Sequence, residues 1–153
     1  MKQMMNELTM KYAIMHLDFD SLEDYDHAFC WLLNGVKTFK ILKERVQCIE
    51  KRKSSSGNGG HLRITWKCGD AKFDPEHFMF MRYFFGDCLG RIQADLKRKQ
   101  VAKYFNQDIV IDTLFAYKDG KWAGKWKIIH GKRIYKGDCN TDVREKKNEK
   151  DKS

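Results

Sequence analysis

The sequence predicts an α+β domain in which a four-stranded antiparallel sheet carries two helices on one face, in the strand, helix, strand, strand, helix, strand order of the split βαβ arrangement. Three observations predict it. Residues 12–20 and 60–67 alternate apolar and polar side chains at the period of a strand. Residues 22–39 repeat apolar side chains every three or four positions, the period of a helix packed by one stripe. Between the second and third strands, Ser54-Ser55-Ser56-Gly57-Asn58-Gly59 is rich in turn formers, and Asn58-Gly59 signals a two-residue hairpin joining antiparallel neighbours.

The elements follow in order. In the first strand Ala13, Met15, Leu17 and Phe19 fall on one side and His16, Asp18 and Asp20 on the other. Ser21 is a helix N-cap with Glu23 and Asp24 in the first turn, and the stripe Leu22, Tyr25, Phe29, Leu32, Val36, Phe39 carries the first helix to about Lys43. Residues 45–53 form the second strand, and residues 60–67 the third, with Leu62, Ile64 and Trp66 on its apolar side. Asp74 and Pro75 start a second helix that Gly86 and Gly90 split in two before Arg91. Residues 109–115 are β-rich and supply the fourth strand, Tyr117 to Trp122 is a turn, and residues 126–129 add a short further strand. Residues 1–139 are expected to form one domain, which begins with a methionine-rich lead at 1–10, and the charged residues 140–153 a disordered tail.

Composition narrows the partners. A formal charge of +9 at pH 7 favours a polyanion, with nucleic acid foremost. Five cysteines without a C-x-x-C pair suggest neither a disulfide framework nor a zinc site, which places the protein in a reducing, cytoplasmic compartment. No apolar leader and no run of membrane-spanning length is present, so no membrane association is expected.

In the split βαβ plan the first and third strands are central neighbours, and the sheet face opposite the helices stays open. Alternation sends His16, Asp18 and Asp20 to that face from the first strand, and His61, Arg63 and Thr65 from the third. Two carboxylates two residues apart on one strand face converge on a hard divalent cation, magnesium or manganese, and His61 or Arg63 beside them suits a triphosphate. The same Asp18-Phe19-Asp20 also suits an ordinary strand end leading into a helix cap, and the Ser/Gly run an ordinary hairpin tip. Arg82, Arg91, Lys97, Arg98 and Lys99, with Tyr104 and Phe105 nearby, form the densest basic and aromatic region and suit a phosphate backbone as well as a solvated helix surface. Trp122 and Trp126 suit base stacking or the edge of a core.

Asp18-Phe19-Asp20, a helix, and then a strand running into Ser56-Gly57-Asn58-Gly59-Gly60-His61-Leu62 resemble the first two motifs of the archaeo-eukaryotic primase superfamily, including the primase-polymerases of plasmids and archaeal viruses. The resemblance covers residues 12–67. It implies a DNA-replication nucleotidyltransferase in which Asp18 and Asp20 bind magnesium or manganese while Ser56, Gly57 and His61 contact the phosphates of a nucleoside triphosphate. It also implies a third catalytic carboxylate, for which Asp112 is preferred and Asp95 is the alternative. The chain departs from the pattern at Gly60, where the superfamily usually carries an aromatic or bulky residue, and it lacks a zinc-binding cysteine set. The competing expectation is a non-catalytic module of RNA-recognition or ferredoxin-like fold that binds single-stranded DNA or RNA on the open sheet, although the first and third strands lack the aromatics such modules stack on bases.

Overall fold

The chain's architecture, seen in a computed structural model that describes residues 12–69, 74–107, 111–114 and 116–134, is built around strand β1, Tyr12–Phe19. Helix α1 (Leu22–Thr38) follows at once. The Ser21 hydroxyl accepts the Asp24 N–H at 3.1 Å, so the expected cap forms. Phe39 then adopts an extended backbone and ends the helix, and Lys40–Arg45 forms a separate short helix, α2. The continuous stripe to Lys43 is therefore broken, and Phe39 stands exposed at the joint.

Strands β2 (Val46–Lys53) and β3 (Gly60–Lys67) form an antiparallel hairpin. Its connection is six residues, 54–59, closed by Ser54 N–H to the Gly59 carbonyl at 3.2 Å, with the left-handed residue at Gly57 (φ 76°). A two-residue Asn58-Gly59 turn does not form. Gly59 is required for a different reason: a Cβ there would overlap the Phe19 carbonyl at the end of β1.

Helices α3 (Pro75–Phe84) and α4 (Leu89–Tyr104) are the two expected pieces, parted at Phe85–Cys88. Asp74 caps α3 through its carboxylate, which accepts from the N–H groups of Glu76 and His77. A small hairpin of β4 (Tyr117–Lys118) and β5 (Lys121–Trp122) stands apart from the main sheet, and β6 (Lys127–Gly131) joins that sheet beside β2.

The main sheet is antiparallel and ordered β1-β3-β2-β6. Strands β1 and β3 are neighbours as expected, but β1 lies at the sheet's end rather than its centre. The expected fourth strand accounts for the difference. Residues 109, 110 and 115 lie outside the described residues, and residues 111–114 form no strand. Asp112 takes a left-handed backbone (φ 58°), which breaks an extended run. Its carboxylate accepts the His16 N–H at 2.7 Å, and the Asp87 carboxylate accepts the Asp18 N–H at 2.8 Å. Cys88 N–H reaches the Asp18 carbonyl at 3.1 Å and Arg91 the His16 carbonyl at 3.3 Å. The outer edge of β1 is thus satisfied mostly by side chains, with no strand beside it among the described residues.

The core unites Met15, Leu17 and Phe19 of β1, Leu62 and Ile64 of β3, Tyr25, Ala28, Leu32 and Val36 of α1, and Phe78 of α3. In the strands these are the apolar sides that alternation assigns, and in α1 Tyr25, Leu32 and Val36 come from the expected stripe, whose first member Leu22 is exposed instead. The expected methionine-rich lead and charged tail lie outside the described residues. Cys30, Cys48, Cys68 and Cys88 are free thiols, and among the described residues no helix is long and apolar enough to cross a membrane.

Candidate functional site

The register of the sheet sets polar side chains in two rows across its second face. Arg52 stands opposite His61, and His61 opposite Asp18; one step along, Glu50 stands opposite Arg63, and Arg63 opposite His16. In the first row Arg52 Nε donates to His61 Nδ1 at 2.9 Å, and His61 Nε2 approaches Asp18 Oδ1 at 3.3 Å. In the second, Arg63 forms a fork with Glu50 (2.7 and 3.1 Å), which also receives Arg133, while His16 Nδ1 meets Asp112 Oδ2 at 3.1 Å.

This face is not the open surface that alternation suggests. His16, Glu50, Arg52, His61, Arg63 and Thr65 are all buried. Trp126 covers four of them, its ring 4.3 Å from the guanidinium carbons of both Arg52 and Arg63, 6.0 Å from the His16 ring and 6.4 Å from the His61 ring. Gly124 N–H, bonded to the Lys53 carbonyl at 2.9 Å, ties this cover to the end of β2. Arg63, expected to face a phosphate, is instead neutralised by Glu50 beneath Trp126. Period-two alternation tells which face a residue occupies, but not that the polar residues there pair with one another and are covered. Trp126 accordingly serves as a cover, and Trp122 packs on Tyr117 at 5.0 Å.

The first row opens to solvent at its Asp18 end. A cleft of about 650 Å³ begins there, within the usual size of small-molecule sites. Asp18, Asp20 and His61 line one side, and Ser54, Ser55, Ser56 and Asn58 of the β2–β3 connection another. Arg91 and Arg98 enter from α4, and Lys118 and Lys121 from the β4–β5 hairpin. The connection is internally braced: Ser56 Oγ accepts the Asn58 N–H and Ser54 Oγ the Gly59 N–H, both at 3.2 Å.

Electrostatics keep Asp18 ionised. Burial pushes its carboxyl up, but the hydrogen bond and charge of His61, with the charges of Arg91 and Lys118, outweigh that and hold it below the ordinary carboxylate value. Burial, joined by the charges of Arg52 and Arg91, holds the His61 ring below its ordinary value against the opposing pull of Asp18. Asp20 is exposed and makes no ion pair among the described residues.

The expected site residues therefore divide. Asp18, Asp20, Ser56, His61, Arg91 and Arg98 share one cleft. Gly57 shapes the connection beside it. Asp112 is buried against His16 and Arg91, and seals the edge of β1 instead of lining the cleft. Asp95 does reach the cleft wall, but its carboxylate is held by Arg82 and Arg98, each at 2.6 Å. Arg82 is fully enclosed between Asp87 and Asp95 and presents nothing to a surface ligand. Lys97 is exposed away from the cleft lining, and Lys99 pairs with Glu76. Sequence reasoning missed Lys118 and Lys121, whose Lys-Asp-Gly-Lys turn was legible but gave no hint of what it faces, and Asp87, whose only signal was an acid between two glycines.

Asp18 and Asp20 are two hard oxygen donors at the mouth of a cleft of mixed charge, lined also by Arg91, Arg98, Lys118 and Lys121 and by Asp95 and Asp119, which suits a divalent cation arriving with a polyphosphate whose oxygens complete its shell. Among the described residues, no group of three or more histidine, cysteine or acidic side chains is placed to hold an ion unaided. In comparisons with known proteins, no family model, curated protein or solved structure matches the chain.

Proposed function

We propose that the protein is a metal-dependent nucleotidyltransferase of primase-polymerase type, adding nucleotides on a nucleic-acid template. The observation that carries the reading is the convergence of Asp18, Asp20, His61 and the serine-rich connection on one cleft with Arg91, Arg98, Lys118 and Lys121 around it. Carboxylates and basic groups facing one another are what a cation–triphosphate complex needs: the acids take magnesium or manganese, and the bases take the phosphate oxygens. The bound cation would lower the pKa of an attacking 3′ hydroxyl and offset charge on departing pyrophosphate. The chain's own groups would position: the Ser54–Asn58 connection and His61 the phosphates, and the basic residues of α4 and the β4–β5 hairpin the template. The reading rests on the β1–β3 pairing and not on the complete split βαβ plan.

The alternative, base stacking on an open sheet as in RNA-recognition modules, has less to support it, because the face it needs lies beneath Trp126. Primer extension and dinucleotide synthesis with manganese test the proposal. The wild type should incorporate nucleotides, and the double variant Asp18→Asn/Asp20→Asn should lose at least about a hundredfold in rate, given the share of phosphoryl-transfer catalysis that metal ions carry, while its melting temperature holds. Wild-type protein inert with every divalent metal, and showing no manganese-dependent rise in melting temperature, would leave the non-catalytic nucleic-acid module as the better account.

A further inference from the structure

Resting on the reading of the cleft as a polyphosphate site, the geometry points to Arg52 as a positioning residue that fixes the tautomer of His61. A guanidinium has no acceptor, so the 2.9 Å contact between Arg52 Nε and His61 Nδ1 has only one direction: Arg52 donates and Nδ1 accepts through its lone pair. In the neutral ring the proton then sits on Nε2, the atom that meets Asp18 Oδ1 at 3.3 Å on the cleft side. The opposite tautomer would set an N–H against the Arg52 N–H inside the sheet and turn a lone pair toward the carboxylate. Both arrangements are repulsive in a buried place.

Arg52 is held for this task from two sides. The antiparallel register sets it directly across from His61, and the Trp126 ring lies 4.3 Å from its guanidinium carbon. His61 is in turn directly across from Asp18, so the three form one straight row from the covered interior to the cleft. The consequence is a hydrogen-bond donor aimed permanently outward. Asp18 uses it in the free protein, and an anionic phosphate oxygen can use it once a cation engages the carboxylate; an outward lone pair would repel the same oxygen. Arg52 touches no ligand and acts through His61.

Nitrogen-15 NMR of histidine-labelled protein at pH 8 tests this, with the His61 signals assigned by their loss in His61→Gln. The wild-type ring should show the Nε2–H pattern, with Nδ1 unprotonated. Arg52→Met should give a tautomer mixture and about tenfold weaker binding of magnesium tripolyphosphate, the lower end for loss of a residue that orients a ligand-binding histidine. Arg52→Lys, which can still donate to Nδ1, should restore most of both. A wild-type ring protonated on Nδ1 overturns the proposal without any variant having to fold, as does an unchanged Nε2–H pattern in a folded Arg52→Met. If the tautomer responds as stated but the wild type binds no tripolyphosphate, the positioning stands and the nucleotidyltransferase reading falls.

Discussion

Glu50 shows how strongly this protein depends on single buried charges. Its carboxylate is 1% exposed and is bound by Arg63 and Arg133. Burial pushes the carboxyl up, and the hydrogen bonds and charges of the two arginines outweigh it, so the folded state holds Glu50 below its ordinary 4.5. Asp18 and Asp112 are likewise held below 3.8. For a group whose folded pKa is depressed, stability is present above the unfolded value and lost as pH falls toward the folded one. His61 has the same sign, from its ordinary 6.5 downward, because the unfolded ring gains a proton before the folded one. Asp87, raised above 3.8 chiefly by burial, opposes the trend in part. Chemical denaturation across pH should therefore show stability falling in two stages, first below about pH 6.5 and again below about pH 4.5. Glu50→Gln should cost about 3–5 kcal/mol near neutral pH, since it removes the buried carboxylate charge that Arg63 and Arg133 share, and should flatten the lower stage. A cost under about 1 kcal/mol, the range of an exposed pair, would show that the pair is open to water.

At the level of elements, much was legible because local chemistry decides it. Ser21 and Asp74 announce their helices by capping, Gly86 announces the gap between α3 and α4 while Gly90 falls inside α4, and alternation identifies β1, β3 and their apolar sides. What was not legible depends on tertiary pairing. Nothing in residues 109–115 says that Asp112 turns left-handed and lends its carboxylate to the edge of β1, and nothing around Trp126 says that it covers Arg52 and Arg63. The Gly59-Gly60 pair is intermediate. Turn chemistry flags it, yet its purpose is close approach, because a Cβ at Gly60 would run into the Tyr25 ring and one at Gly59 into the Phe19 carbonyl. The Tyr25 ring thus packs tightly over Gly60, the position at which the primase superfamily usually carries a bulky residue. Gly59→Ala should lower stability by about 3 kcal/mol, the upper end for overpacking, because a backbone carbonyl cannot move aside as a side-chain tip can. Gly57→Ala, with open space around it but a left-handed backbone, should cost about 1 kcal/mol. Equal melting temperatures for the two variants would contradict this placement of the connection.

For the molecule as a whole, the charge of +9 matters through where it is spent. Arg82 and Arg63 are consumed in buried pairs, whereas Lys118 and Lys121 remain at the cleft. Single-stranded nucleic acid should bind with an affinity that falls linearly in log salt, and Lys118→Ala/Lys121→Ala should reduce the slope by about 0.7 for each phosphate that the variant no longer neutralises. Affinity independent of salt would rule out binding dominated by phosphates. The claim that Asp18 and Asp20 gather a cation and a triphosphate in the cleft between the Ser54–Asn58 connection and the β4–β5 hairpin is tested most directly by a crystal soaked with manganese and a nucleoside triphosphate. Anomalous density should appear between the Asp18 and Asp20 carboxylates and the phosphates, with the phosphates against the connection and His61. Manganese found elsewhere, or triphosphate bound without touching either carboxylate, would contradict the account.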